Sequence, residues 1–198
     1  MQWTTIDSHV WHNAPMTFTP PPWRSGAPHA SIALSAALTA PGSLTEYLQA
    51  SGRLFAVHVL FQGNDTALSD EAALLGNPAA AYARHVALTL DGQTVVVARS
   101  VCRAGCPHWQ DRLDRGRRSL GLTLFGEMPA LVRSPLAYAL LGTGDPRHAL
   151  AAPLCGDAPL PARRCLFTFE GAPLIVTELF LPALELLTPC PYPPATTA

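Results

Sequence analysis

The chain has 198 residues, 48% of them hydrophobic, and a formal net charge of −1, which supplies one full core and is short for two. A nearly neutral chain has no general affinity for polyanions, so nucleic-acid binding is not expected. All 13 basic residues are arginines; without lysine there is no Schiff-base chemistry, no usual attachment point for pyridoxal phosphate and no Walker A lysine.

The start, Met1 to Asp7, has no basic segment leading into an apolar one, so it does not read as a secretory signal. No charge-free and proline-free apolar stretch reaches about 18 residues, so stable membrane insertion is not expected. Five cysteines, an odd number without a framework spacing, fit a reducing cytoplasm.

Residues 1–29 are rich in Trp, Pro, His and Thr and read as an N-terminal arm, docked by Trp11 and Trp23. Residues 30–39 predict a short helix. A second begins after Pro41-Gly42-Ser43, where Ser43 and Glu46 form a capping box. Leu54 to Phe61 predicts a strand, and Ser69 caps a short helix through Leu75. Two strand-like runs then flank Asp91-Gly92, the strongest short hairpin signal. Residues 107–119 read as a polar helix or loop, with Arg112, Arg115, Arg117 and Arg118 offset by Asp111 and Asp114 as a solvated face. Leu120 to Phe125 predicts a helix start, 129–141 a further helix and 142–161 a loop. A last hairpin, 163–182, turns at Glu170-Gly171 and leads into a proline-rich tail, 185–198. Hairpins with short helices between them predict a single α+β domain on an antiparallel sheet.

Two features of these strands carry chemistry. Glu178 lies in the apolar run Leu174 to Pro182, and alternation puts it on one face with Leu174, Val176 and Phe180. A lone carboxylate there needs a partner or a role as proton carrier. The hairpin offers Arg163 or Arg164 as a structural partner. In the first hairpin, a two-residue loop pairs Leu90 with Gln93, Leu88 with Val95, Val86 with Val97 and Arg84 with Arg99. Two arginines side by side are unfavourable without an anion. Either Glu178 or an anionic ligand answers them, unless both tips reach water at the rim.

Other candidates are weaker. Cys102, Cys106 and His108 lack the fourth ligand of a structural zinc site, so no metal is expected. His58 reads as a hydrogen-bonded core histidine, and His85 points to the face opposite Arg84. There is no nucleophile elbow and no glycine-rich dinucleotide loop.

Six strings in order resemble the bacterial chorismate–pyruvate lyase family of ubiquinone biosynthesis. They are Gly42-Ser43-Leu44-Thr45, Ala83-Arg84-His85-Val86, Ala98-Arg99-Ser100-Val101, Leu120 to Phe125, Ala162-Arg163-Arg164-Cys165 and Thr177 to Pro182. The resemblance covers roughly residues 40–184. It implies a single α+β domain, an antiparallel sheet with short helices forming flaps over a buried ligand site; a cytoplasmic monomer is expected. It implies conversion of chorismate to 4-hydroxybenzoate and pyruvate without a cofactor. Residue by residue, it implies that Arg84 holds the ring carboxylate beside the Leu120 amide, with Gly121 allowing close approach. Glu178 matches the carboxylate at the ring hydroxyl and Leu44 an apolar flap position. Arg99 is the candidate for the enolpyruvyl side or for supporting Arg84, since chorismate is a dianion and arginine suits carboxylates. Two other readings stand beside this one. A ligand-sensing domain of the same fold occurs in some transcription regulators, although the proline-broken first 29 residues do not supply a helix-turn-helix. A lyase yielding an isomeric hydroxybenzoate would leave these motifs largely intact.

Overall fold

Two β-hairpins organise the molecule, and both turn through the backbone conformation their sequences demand. In the computed structural model, which describes residues 19–187 except 115, 117 and 127, Asp91 and Gly92 have φ of 49° and 79°, and Glu170 and Gly171 have 49° and 77°. Positive φ at both central residues is the hairpin turn whose twist matches its strands. The strands are β1 (Phe55–Asp65), β2 (Ala81–Leu90), β3 (Gln93–Arg103), β4 (Val132–Arg133), β5 (Ala137–Leu141), β6 (Leu160–Phe169) and β7 (Ala172–Phe180). They form one antiparallel sheet in the order β1-β2-β3-β7-β6-β4, with β5 also on β6.

The helices are short: α1 (Ile32–Thr39), α2 (Leu44–Gln49), α3 (Ser69–Leu74), α4 (Gln110–Leu113), α5 (Leu120–Gly126), a 3₁₀ turn (Pro146–Leu150), α6 (Ala152–Cys155) and α7 (Ala183–Leu187). None of the described helices is long and apolar enough to cross a membrane. Ser31 and Ser43 cap α1 and α2 by accepting from Leu34 and Glu46 N–H. At α3 the cap is Leu68, not Ser69: Glu71 reaches back to accept from the Leu68 N–H at 3.0 Å.

Both faces of the sheet are buried. On one, Val57, Val86, Leu88 and Phe180 pack with α1, α2 and α7, while Cys102, Phe167 and Leu174 pack with Trp109 and α5. On the other, Val97, Ala162 and Leu179 form one apolar cluster and Val101 and Ile175 join another. Between these last groups lies an ionic network. Arg99 binds Glu71 at 2.9 and 3.0 Å and Asp65 at 2.6 Å. Arg147 binds Asp145 and Asp70, and Arg164 also reaches Asp70. Trp23 donates to Asp70 at 2.9 Å and stacks under the Arg164 guanidinium at 4.2 Å. Trp23 thus docks the end of the N-terminal arm, and Arg24 bridges Tyr138 at the sheet edge. Trp11 and most of the tail lie outside the described residues.

Two further expectations change. Residues 129–141 form β4 and β5, not a helix, because Pro135 interrupts the run and both pieces pair with the edge of β6. The loop 142–161 contains the 3₁₀ turn and α6.

Candidate active site

A cavity of about 630 Å³, mouth included, opens between the first face of the sheet and the helices above it. Its walls include Leu44, Arg84, Leu120, Gly121 and Glu178. Arg99 is absent from them, and the reason is one residue. Val95 is an extra residue in β3, a β-bulge, so Leu88 pairs with Val96, Val86 with Ala98 and Arg84 with Ser100. Arg99 instead pairs with His85 and points to the far face. A single-residue slip sends every later side chain to the opposite side. The expected Arg84–Arg99 pair therefore does not form, and Arg99 is spent on Glu71 and Asp65.

Arg84 is 2% exposed. Its Nη2 donates to the carbonyls of Gly116 and Arg118 at 2.7 and 3.1 Å, but its buried Nε has no partner. Among the described residues no carboxylate pairs with it. Burial pulls its pKa below the ordinary arginine value, yet arginine stays charged at any relevant pH. A buried guanidinium with a spare donor is prepared for an anion.

Glu178 stands opposite Arg163 in the last hairpin, and Arg163 Nε donates to its Oε2 at 2.5 Å. Arg163 also donates through Nη1 to the carbonyls of Ala37, Leu38 and Ala40, at the end of α1. Glu178 Oε1 makes no hydrogen bond to a described residue, and the side chain keeps 17% exposure at the cavity. The carboxylate is thus ion-paired on one oxygen and open on the other.

The cavity roof depends on close packing of α5 on α2. Thr45 and Ser119 share a hydroxyl–hydroxyl hydrogen bond. A Cβ at Gly121 would lie 2.8 Å from Ser43 Oγ and 2.9 Å from Thr45 Oγ1. Gly121 is required where helix meets helix, which goes beyond the approach to ligand expected from sequence.

Two charged wall residues lie beyond what the sequence indicates. Arg163 was seen only as a structural partner of Glu178. Arg133, on β4, was not seen at all; its only signal is a charge amid Leu131 and Val132. Cys102 is sealed in the core, and burial pushes its thiol up to about 12.

A model of the family described as chorismate lyase matches residues 23–187. A probable chorismate pyruvate-lyase of Azoarcus sp. (strain BH72) is 43% identical, covering 74% of this chain and 82% of that one. Another from Ralstonia nicotianae is 37% identical over 90% of this chain and 97% of its own. In fold, the chain is similar to PhnF from Mycobacterium smegmatis, with TM-score 0.51 and 22% identity, over 72% of this chain and 64% of that one. The isolated PhnF effector domain gives the same score, with 90% of it covered. At such low identity the PhnF match speaks for the fold alone. The family match spans nearly every element that builds the cavity, and the relatives keep their likeness over most of their length: the chain belongs to the chorismate lyase family.

Proposed function

We propose that the protein is a cofactor-independent lyase converting chorismate to 4-hydroxybenzoate and pyruvate, the first committed step of ubiquinone biosynthesis, as a cytoplasmic monomer. The observation that carries this reading is the buried Arg84, without a carboxylate partner among the described residues, in the same cavity as the half-open carboxylate of Glu178.

Arg84 binds the ring carboxylate, with the Leu120 amide beside it. Leu44 and Gly121 close the site from above. Glu178 Oε1 meets the ring C4 hydroxyl and serves as acid or base. The C3–O ether bond breaks and the C4–H proton leaves, so the ring becomes aromatic. The departing enolpyruvate takes up a proton at its methylene carbon and becomes pyruvate. Aromatisation supplies the driving force, so the protein's task is orientation and proton handling.

The test is incubation of pure protein with chorismate and identification of the products. Equal pyruvate and 4-hydroxybenzoate above the spontaneous rate, undiminished by exhaustive chelation, are expected. Binding without pyruvate release would instead indicate a sensing domain, and a different hydroxybenzoate a lyase of altered outcome.

A further inference from the structure

The cavity has a second cation that no part of the mechanism above uses. Among the described residues, three arginines line it: Arg84, Arg133 and Arg163. The charge of Arg163 is matched by Glu178. Arg84 and Arg133 have no carboxylate partner among the described residues. Among the described residues, the walls therefore carry two positive charges without a carboxylate partner, and chorismate carries two carboxylates.

The geometry separates these charges across the cavity floor. Arg84, Ser100, Val176 and Cys165 stand in register on β2, β3, β7 and β6. Neighbouring strands lie about 4.8 Å apart, so this row spans about 14 Å between its ends. Arg84 rises from one end. Arg133 reaches the other from β4, with its Nε 3.2 Å from Cys165 Sγ. Its Nη1 donates to the Pro41 carbonyl, just ahead of α2. Its guanidinium lies over Phe125 at 5.0 Å and near Phe167 at 5.9 Å, an arrangement that fixes the plane of the fork. Nη2 makes no hydrogen bond to a described residue, so the fork keeps a free edge.

We infer that Arg133 binds the second carboxylate of the substrate, the one on the enolpyruvyl group. This rests on the lyase reading above. It gives Arg133 a role in specificity as well as affinity. The hydroxybenzoate product has lost that carboxylate, so Arg133 distinguishes substrate from product while Arg84 holds both.

The test compares chorismate with 4-hydroxybenzoate on the same variants. Arg133→Gln should raise KM for chorismate about ten- to hundredfold and leave the Kd for 4-hydroxybenzoate within about twofold. Arg133→Met, which keeps an apolar stem over the two rings, should behave like Arg133→Gln. Arg133→Lys should recover part of the loss. Arg84→Ala should weaken both ligands, and Arg53→Gln, outside the cavity lining at an exposed pair with Asp91, should weaken neither. Thermal melting identifies folded variants; if Arg133→Gln does not fold, the Met and Lys variants decide. An unchanged chorismate KM, or equal losses for chorismate and product, would overturn the assignment. Calorimetry keeps this result apart from the lyase reading. Wild type that binds chorismate without turning it over would end the lyase reading, while the ratio of the two affinities still decides Arg133. Wild type that does not bind chorismate would overturn both.

Discussion

Arg99 Nη1 lies 2.6 Å from His85 Nε2, on the side of the sheet away from the cavity, although Arg84 precedes His85 by a single residue. Arg99 is fully buried with Glu71, also fully buried, and Asp65. Burial works against its charge, but the two carboxylates outweigh that and hold the proton more firmly than usual. Arg99→Met leaves both acids without this partner, so stability should fall by about 3–5 kcal/mol. Folded Arg99→Met should bind 4-hydroxybenzoate within about twofold of wild type. Urea melts and calorimetry check the two halves; weak binding with normal stability would return Arg99 to the ligand.

Arg84→Ala is the reverse case. The substitution removes a buried charge that no described carboxylate balances, and leaves the Gly116 and Arg118 carbonyls without a donor, so the fold should lose only about 1–3 kcal/mol. Binding of 4-hydroxybenzoate should weaken by about 2–5 kcal/mol. Unchanged product affinity in calorimetry would show that the ring carboxylate is held elsewhere.

Glu178→Gln keeps the size of the side chain and an acceptor for Arg163, but removes the charge. Stability should drop by about 1–3 kcal/mol, below the full cost of breaking a buried pair, because the site is partly open and Arg163 retains its carbonyls. Turnover should fall about 10²–10⁴-fold, with product binding largely kept. A destabilised variant with near-normal turnover would refute the acid–base role.

The far face predicts a pH response. Burial, then the neighbouring Arg99 charge, hold His85 well below the ordinary histidine pKa. The unfolded chain takes up this proton below about pH 6.5 while the native state does not. Stability should therefore be flat above pH 7 and fall as the pH drops below about 6.5, by up to about 1.4 kcal/mol per unit. Asp70 adds nothing in that window. Burial raises its pKa, but Arg147, Trp23 and Arg164 outweigh that, and the net value is lowered, so its contribution is lost only at stronger acidity. Urea midpoints from pH 8 to 5 should show a shallower slope for His85→Gln than for wild type; parallel curves would rule His85 out.

The hairpins were legible because Asp91-Gly92 and Glu170-Gly171 admit few backbone solutions. The bulge was not, because Thr94-Val95-Val96-Val97 has no alternation to mark the extra residue, and the face of Arg99 depended on it. Leu44, Arg84, Leu120, Gly121 and Glu178 could be gathered from motifs along the chain. Arg133 could not, since its approach to the cavity depends on β4 joining β6, a two-residue strand too short to leave a pattern. The ionic network behind the sheet was equally hidden: Asp65, Asp70, Glu71, Asp145 and Arg147 come from segments that look like ordinary polar turns.

Arg163 joins two properties that are usually separable. Its Nη1 satisfies carbonyls at the C-terminal end of α1, where the helix dipole favours a cation, and its Nε grips Glu178. The order of a covering helix and the aim of the Glu178 carboxylate thus hang on one side chain. Energetic effects of changes at 163, at 178 and along the end of α1 will not add. A drift in sequence that relaxes the helix end also loosens the carboxylate, so, on the lyase reading, robustness and turnover evolve together.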